Sequence, residues 1–396
     1  MGNHRFPTLT HLFTNGQRIP LDWWLGISLA IVLRTALLTH ETPDYSYYLS
    51  PWYEYIVSHQ GFWALQDNFS NYTPPYLYAL VFVAHYLAFL PKVVAIKLIV
   101  FPFEALAGVL IYRLVKLAHP RGPLPKLAAL TFLFAPTVVL NGSYWGQCDI
   151  IYTTALLACL YHLARHRFTC ASVSFGTAIA IKLQALWLGP ALLIGAFKKQ
   201  YSWQLIVWLP LTYGFWSLPA ALVGRPWGEL WLIYFQQSQT FASLTLNAPN
   251  IYQWLPQEWY SQILPWGLAG AIVVSGLFIA IVSSFKFTFT FPLWLQISLI
   301  SVILVPYCLP KMHDRYFFAG DVISLVYGFY FPTYFWVPLA LNGISLFSYF
   351  PYLWGQQPLP LNLLSLLLAA VIIALLLHLQ DSLVASQNPT NPASGK

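Results

Sequence analysis

The chain is a succession of long apolar runs separated by short polar or aromatic connectors. Runs that approach 18 residues predict membrane-spanning helices. A β-barrel would instead show alternation over segments of about ten residues, and Leu361–Leu377 is almost wholly apolar without it. The pattern predicts spans at Leu21–Leu38, Pro74–Leu90, Val93–Val115, Leu127–Asn141, Ile150–Leu163, Ala171–Phe197 and Trp203–Val223. It continues with Ile263–Ser284, Phe289–Val305, Tyr316–Phe331, Trp336–Tyr349 and Leu361–Leu379. Thr39–Thr73 is a long aromatic and polar segment, expected to carry interfacial helices. The expected fold is an all-α polytopic membrane protein, a bundle of about 11–13 transmembrane helices. A tail rich in Ser, Asn and Pro, residues 381–396, is expected to be flexible.

Composition sharpens this reading. Of the 396 residues 58% are hydrophobic and only 8% are charged. A soluble domain carries roughly 25% charged residues. A soluble enzyme, a disordered chain and a disulfide scaffold are therefore excluded. The net charge of +7 would suggest nucleic acid in a soluble protein. Here no basic stripe with base-reading side chains accompanies it, and no nucleic-acid partner is expected. The cations instead cluster in short connectors: Arg113, Lys116, Arg121 and Lys126; Arg165 and Arg167; Lys198 and Lys199; Lys286. Positive-inside bias assigns these connectors, and the polar segment 1–20, to the cytoplasm. No short apolar core with a cleavage site opens the chain, so the first apolar run is expected to be a permanent span. Cys148, Cys159, Cys170 and Cys308 form no CxxC pair.

On this map Thr39–Thr73, Gly224–Tyr260 and Leu309–Arg315 face outward. Placing Asn141–Asp149 on the same side requires an even number of crossings after Thr73. Pro74–Leu90, Val93–Val115 and Leu127–Asn141 are an odd number, so one of them is expected to be re-entrant or interfacial. Ala171–Phe197 slightly exceeds the usual span of roughly 17–25 residues. Two half-length helices meeting at Lys182-Leu183-Gln184 would resolve that, because non-helical backbone is tolerated where it lines a cavity.

With only 12 acidic residues, each position is informative. Asp44 follows the first span and precedes the aromatic run Tyr45-Ser46-Tyr47-Tyr48-Leu49-Ser50-Pro51-Trp52-Tyr53. Such rings suit a membrane interface or a sugar face. A partly desolvated Asp44 would serve as a base; the alternative is an ordinary loop acid under an aromatic belt. Lys311, His313 and Arg315 crowd one short outward segment, against the charge bias, in a pattern suited to phosphate. The alternative is a solvated loop with an Asp314–Arg315 surface pair. Asn141–Asp149 offers an amide and an acid in a small-residue turn, or only an interfacial turn with a Trp anchor. Lys182, with Gln184, lies far from both span ends and needs a cavity or a partner. Arg34 is close enough to its span end to snorkel, whereas mid-span Glu104 would pair with Lys97 or line a cavity. Walker, Rossmann and HExxH motifs are absent, as are His/Cys metal spacings and a DxD pair. No cofactor is expected, and only a divalent cation is left open.

In combination these segments resemble the GT-C superfamily of integral-membrane glycosyltransferases. The resemblance rests on the outward Asp44, on Tyr72-Thr73-Pro74-Pro75-Tyr76, and on the aromatic-Gly-Gln-Asp turn at Trp145–Asp149. It also rests on Ile181-Lys182-Leu183-Gln184, Pro310-Lys311-Met312-His313-Asp314-Arg315-Tyr316 and Asn247-Ala248-Pro249-Asn250-Ile251-Tyr252. The branch it most resembles comprises bacterial mannosyltransferase-like proteins related to the GPI-anchor mannosyltransferases. Asp314 stands where Glu is usual, which keeps the charge.

The resemblance implies a GT-C-like catalytic module over residues 21–316 with an outward-facing cavity, followed by C-terminal spans over 317–380. It implies an inverting transfer of a hexose, mannose or glucose, from a polyprenyl-phosphate donor to a lipid-linked or other glycan acceptor. The expected place is a bacterial inner membrane, with membrane lipids as neighbours and the site on the extracytoplasmic side. Asp44 would be the base. Lys182, Lys311, His313 and Arg315 would hold the donor phosphate. Tyr45, Tyr48, Trp52, Gln147, Asp149, Gln184, Asn247 and Asn250 would hold substrate. Asp44, Lys182, Gln184 and His313 should then converge on one cavity. A transporter or flippase of a lipid-linked sugar is the alternative, though the inverted repeats common in transporters are not visible. A scaffold subunit would have little reason to gather these groups.

Overall fold

The computed structural model describes residues 21–387. The expected cytoplasmic segment 1–20 and the last part of the expected tail, 388–396, lie outside the described residues. Among the described residues this membrane protein is all-helical apart from one two-stranded ladder. α1 (Leu21–Leu37) leads to one end of the bundle. The chain stays there through a π-turn at Tyr45–Leu49, α2 (Ser50–Ser58), a 3₁₀ turn at Gly61–Gln66 and α3 (Pro74–Tyr86). α4 (Lys92–Leu98) and α5 (Phe101–Ala118) run away from that end; α6 (Leu124–Phe134) and α7 (Pro136–Val139) return. α8 (Asp149–Ala164), α9 (Phe168–Ile181), α10 (Gly189–Phe197) and α11 (Trp208–Leu222) alternate in direction. α12 (Trp227–Ser238) and β1 (Thr245–Leu246) lie at the first end again. α13 (Tyr260–Ser284) descends and α14 (Phe291–Cys308) returns to β2 (Met312–His313). α15 (Phe318–Tyr330), α16 (Trp336–Trp354) and α17 (Leu361–Gln387) complete the alternation.

Contacts fix the two ends. At the first, Lys97 Nζ donates to the carbonyls of Leu37, His40 and Tyr144 at 3.3, 2.5 and 2.7 Å. At the second, Lys198 Nζ donates to the Phe285 carbonyl at 2.6 Å and Tyr330 to that of Leu114 at 2.7 Å. The cation-rich connectors gather at this second end.

Among the described residues five helices are long and apolar enough to cross a membrane: Lys92–Ala118, Trp203–Leu222, Gln257–Ser284, Phe291–Cys308 and Leu361–Gln387. A sixth span forms if Leu124–Phe134 and Pro136–Trp145, bent by 49°, count as one. Asp149–Ala164, Phe168–Ile181 and Leu183–Phe197 are apolar but shorter. α14 and α15 are buried on nearly every side, as expected of helices that are apolar all round. α11 and α13 instead present Leu222, Trp266 and Ile272 outward at 76%, 80% and 73% exposure. Such a surface fits lipid rather than water.

The crossing count is settled by α3. Thr73, at its start, donates to the Ile181 carbonyl at 2.8 Å, and Lys92, just after it, pairs with Glu54 of α2. Both ends of α3 therefore lie at the first end of the bundle, and the expected span at Pro74–Leu90 is corrected to a helix that does not traverse it. Pro74 and Pro75 start it, with φ pre-set for a first turn and no amide to satisfy. The expected break after Ile181 is present: Lys182 is extended, at φ −149° and ψ 137°, and a 3₁₀ turn (Leu183–Leu188) leads into α10. α12 and the β1–β2 ladder were not anticipated, and α17 continues as helix through Gln387, into the expected tail. Arg34 does not snorkel. It is 3% exposed and paired with Glu104, while Lys97 caps carbonyls instead.

Candidate functional site

Four connectors converge at the first end: the π-turn after Asp44, the turn Leu140–Trp145, the β1–β2 ladder and the C-terminal turn of α16. The π-turn at Leu140–Trp145 closes on Gly146, whose φ of +84° only glycine adopts freely. This reversal lets neighbouring side chains serve one acceptor. Trp145 Nε1 donates to Asp44 Oδ2 at 2.9 Å, and Gln147 Nε2 donates to the same oxygen. Tyr352, from α16, donates to Asp44 Oδ1. A carboxylate offers about four lone-pair positions. Three are occupied, and the carboxylate is held in one orientation with one position left open to the cleft.

Arg315 faces this carboxylate. Its Nη1 stands 3.9 Å from Asp44 Oδ2 and 4.0 Å from Asp314 Oδ1. These distances permit charge attraction but not a hydrogen bond. The guanidinium packs 5.4 Å from the Trp145 ring and 5.9 Å from the Tyr316 ring. Its buried Nε has no hydrogen-bond partner among the described residues. Asp44 and Arg315 share a cleft of about 460 Å³ with Tyr48, Trp52, Gln147, Asn247 and His313.

The ladder shapes the opposite wall. β1 and β2 pair in parallel, Thr245 with Met312 and Leu246 with His313. Lys311, at φ +66°, donates its amide to the Leu244 carbonyl at 2.7 Å. Asn247, at φ +58°, bridges to His313; asparagine tolerates that conformation better than most residues. Burial, then Arg315 and Lys182, push the His313 imidazole well below its ordinary range. It meets a ligand as a neutral ring. Burial raises the Asp314 carboxyl to about 7 despite the pull of Arg315.

The chain matches no protein-family model and no curated protein.

Several sequence-derived candidates lie elsewhere. Lys182 does not line the cleft. Its Nζ is paired with Asp149 Oδ1 at 2.5 Å, and Asn141 Nδ2 donates to Asp149 Oδ2 at 2.9 Å. The pair sits behind the Tyr72 ring, 5.5 Å from Lys182 Nζ. Gln184 is buried off the cleft wall, so of the four groups expected to converge only Asp44 and His313 share it. Lys311 Nζ turns away to the Tyr260 hydroxyl at 2.7 Å. Asn250 is fully buried and donates to the Leu309 carbonyl at 3.0 Å, so it anchors the loop before β2. Tyr45 is a core residue. Tyr352 went unnoticed in the sequence, where a tyrosine ending an apolar run resembles an interfacial anchor; with it the C-terminal helices join the site.

Among the described residues no group of three or more His, Cys, Asp or Glu side chains could hold a metal ion. Arg315 stands close to both Asp44 and Asp314, so a cation there would meet its charge. The donor set does not fit a resident divalent cation.

Proposed function

We propose that the protein is an inverting glycosyltransferase of the GT-C type. It moves a hexose, mannose or glucose, from a polyprenyl-phosphate donor to a lipid-linked or other glycan acceptor. The observation that carries this reading is Asp44, oriented by Trp145, Gln147 and Tyr352 and faced by Arg315 across an open cleft. The acceptor hydroxyl oxygen bonds to the anomeric carbon as the carbon–oxygen bond to the lipid phosphate breaks. The hydroxyl proton passes to Asp44. The bonding pair leaves with the phosphate, whose charge Arg315 offsets. The neutral His313 contributes a hydrogen bond rather than a charge. The apolar helices would border the prenyl chain, which is already solvated by lipid and gains only packing there.

The site is extracytoplasmic in this reading, because the cation-rich connectors lie at the other end. The inner membrane of a bacterium is the expected place. Repeat-built transporters break matching helices in their two halves. Here the breaks near Ala135 and Lys182 both fall in the first half, which favours transfer over transport.

The test is sugar transfer by the purified chain in nanodiscs, with polyprenyl-phosphate mannose, glucose and arabinose as donors and a lipid-linked glycan as acceptor. Wild type is expected to form a glycosidic bond with one donor, and Asp44→Asn to form it far more slowly. Equal rates would remove Asp44 as the base. Movement of intact donor across a bilayer without a new bond would establish the transporter instead.

A further inference from the structure

A second cavity, of about 340 Å³, adjoins the cleft and shares Tyr48, Trp52 and Asn71 with it. Its chemistry differs. The cleft wall carries Asp44, His313, Asp314 and Arg315. The second cavity carries the amides of Asn68, Asn71, Gln236 and Gln237 and no acidic, basic or imidazole side chain.

Two connectors build it. Gln236 and Gln237 come from α12, and Gln237 Nε2 donates to the Asn71 carbonyl at 2.8 Å. Asn68 is held from behind by Arg225, whose Nη2 donates to its Oδ1 at 2.6 Å. The Asn68 amide thus keeps its donor side toward Gln236, 3.4 Å away. Phe69 adds an aromatic wall, stacked on Tyr55 at 4.7 Å. Asn71, in the shared wall, has a buried Oδ1 with no partner among the described residues. An unpaired buried acceptor is costly, and a ligand hydroxyl would recover that cost.

These features select among ligands. A phosphate would find no cation. A prenyl chain would strand the amides. Side-chain amides both donate and accept, as sugar hydroxyls do, and aromatic walls suit the apolar face of a pyranose. The volume lies at the low end of small-molecule sites, roughly 300–1,000 Å³. We propose that this cavity binds an uncharged hexose ring. Resting on the transfer reading, it is the acceptor subsite: the ring sits against Trp52 with a hydroxyl toward Asp44, while the charged cleft takes the sugar phosphate.

Saturation-transfer NMR on the full chain in nanodiscs tests this, with methyl α-mannopyranoside and methyl α-glucopyranoside as probes. At least one should receive saturation from wild type, and inorganic phosphate should leave the signal unchanged. Asn71→Leu should weaken binding at least tenfold. Thr240→Trp, at an exposed rim position where folding is not at risk, should do the same by filling the cavity. No saturation transfer, displacement by phosphate, or undiminished binding in Thr240→Trp would each overturn the proposal. Hexoside binding that survives while every donor fails to transfer would sink the glycosyltransferase reading and leave the sugar site standing. Transfer without hexoside binding would do the reverse.

Discussion

Two carboxylate–cation couples lie at the same end of the bundle, and they are built in opposite ways. Asp149 and Lys182 close to 2.5 Å, with Asn141 on the second carboxylate oxygen. Asp44 and Arg315 remain 3.9 Å apart at a cleft wall, and the carboxylate's partners come from Trp145, Gln147 and Tyr352 instead. A closed pair has little left to offer a ligand, and deleting one member strands a buried charge. An open pair leaves both charges to a ligand in the cleft that they line. The comparison teaches that position in a motif does not decide a role; how fully a group is already satisfied does. Lys182 and Asp149 hold α8 to the break after α9, and Asp44 and Arg315 face the open cleft.

The largest effect should separate the couples outright. Asp44→Asn is expected to lower transfer about 10²–10⁴-fold, the usual worth of a positioned base, with a thermal unfolding midpoint close to wild type. Transfer rate and melting curve together check it, and a large loss of stability would move Asp44 into the structural class. The converse change is Lys182→Met, expected to destabilise by about 3–5 kcal/mol through the stranded Asp149. Adding Asp149→Leu should restore much of the loss, and a fully stable single variant would contradict the closed-pair reading. Arg315→Gln should cut the turnover number about 10²–10³-fold, as loss of one charge-stabilising donor does. Arg315→Lys should recover only part, because a point charge lacks the planar fork. A change confined to KM would mean that Arg315 binds substrate without acting on the leaving charge.

The smallest effect is a pH dependence. The Asp314 carboxyl is raised to about 7 by burial, so the folded state favours its proton. That contribution is complete below the ordinary carboxylate range and is lost as pH rises through about 7. The unfolding midpoint should therefore fall as pH rises from about 4 to about 7 and level off above that, and Asp314→Asn, which mimics the protonated acid, should flatten the fall. An unchanged slope in the variant would assign the dependence elsewhere.

The passes through the bundle were legible in the sequence because lipid demands long apolar runs. The break at Lys182 was legible for the same reason, as an overlong run with a cation inside it. α3 was not, since its composition matches a span and only Thr73 and Lys92 reveal that it stays at one end. α12 was hidden because its Trp and Gln residues read as loop until Leu230 and Ile233 are seen to be buried. Within the site, Asp44 and Arg315 stood out as charges where few exist. Asn250 and Lys311 stood out equally, and nothing in a sequence says that a backbone carbonyl or a tyrosine will take their hydrogen bonds. Tyr352 shows the converse, a neutral residue far along the chain made important by where α16 ends.

The pairing of Arg34 with Glu104 bears on how the protein is made. The two are 70 residues apart, so the guanidinium leaves the ribosome well before its partner. At about 5–20 residues per second the delay is several seconds. Throughout it α1 carries a charge without its partner, in its last turn, where the long side chain reaches the interface. The ion pair thus acquires an order: it cannot form until α5 has followed α1 out of the ribosome.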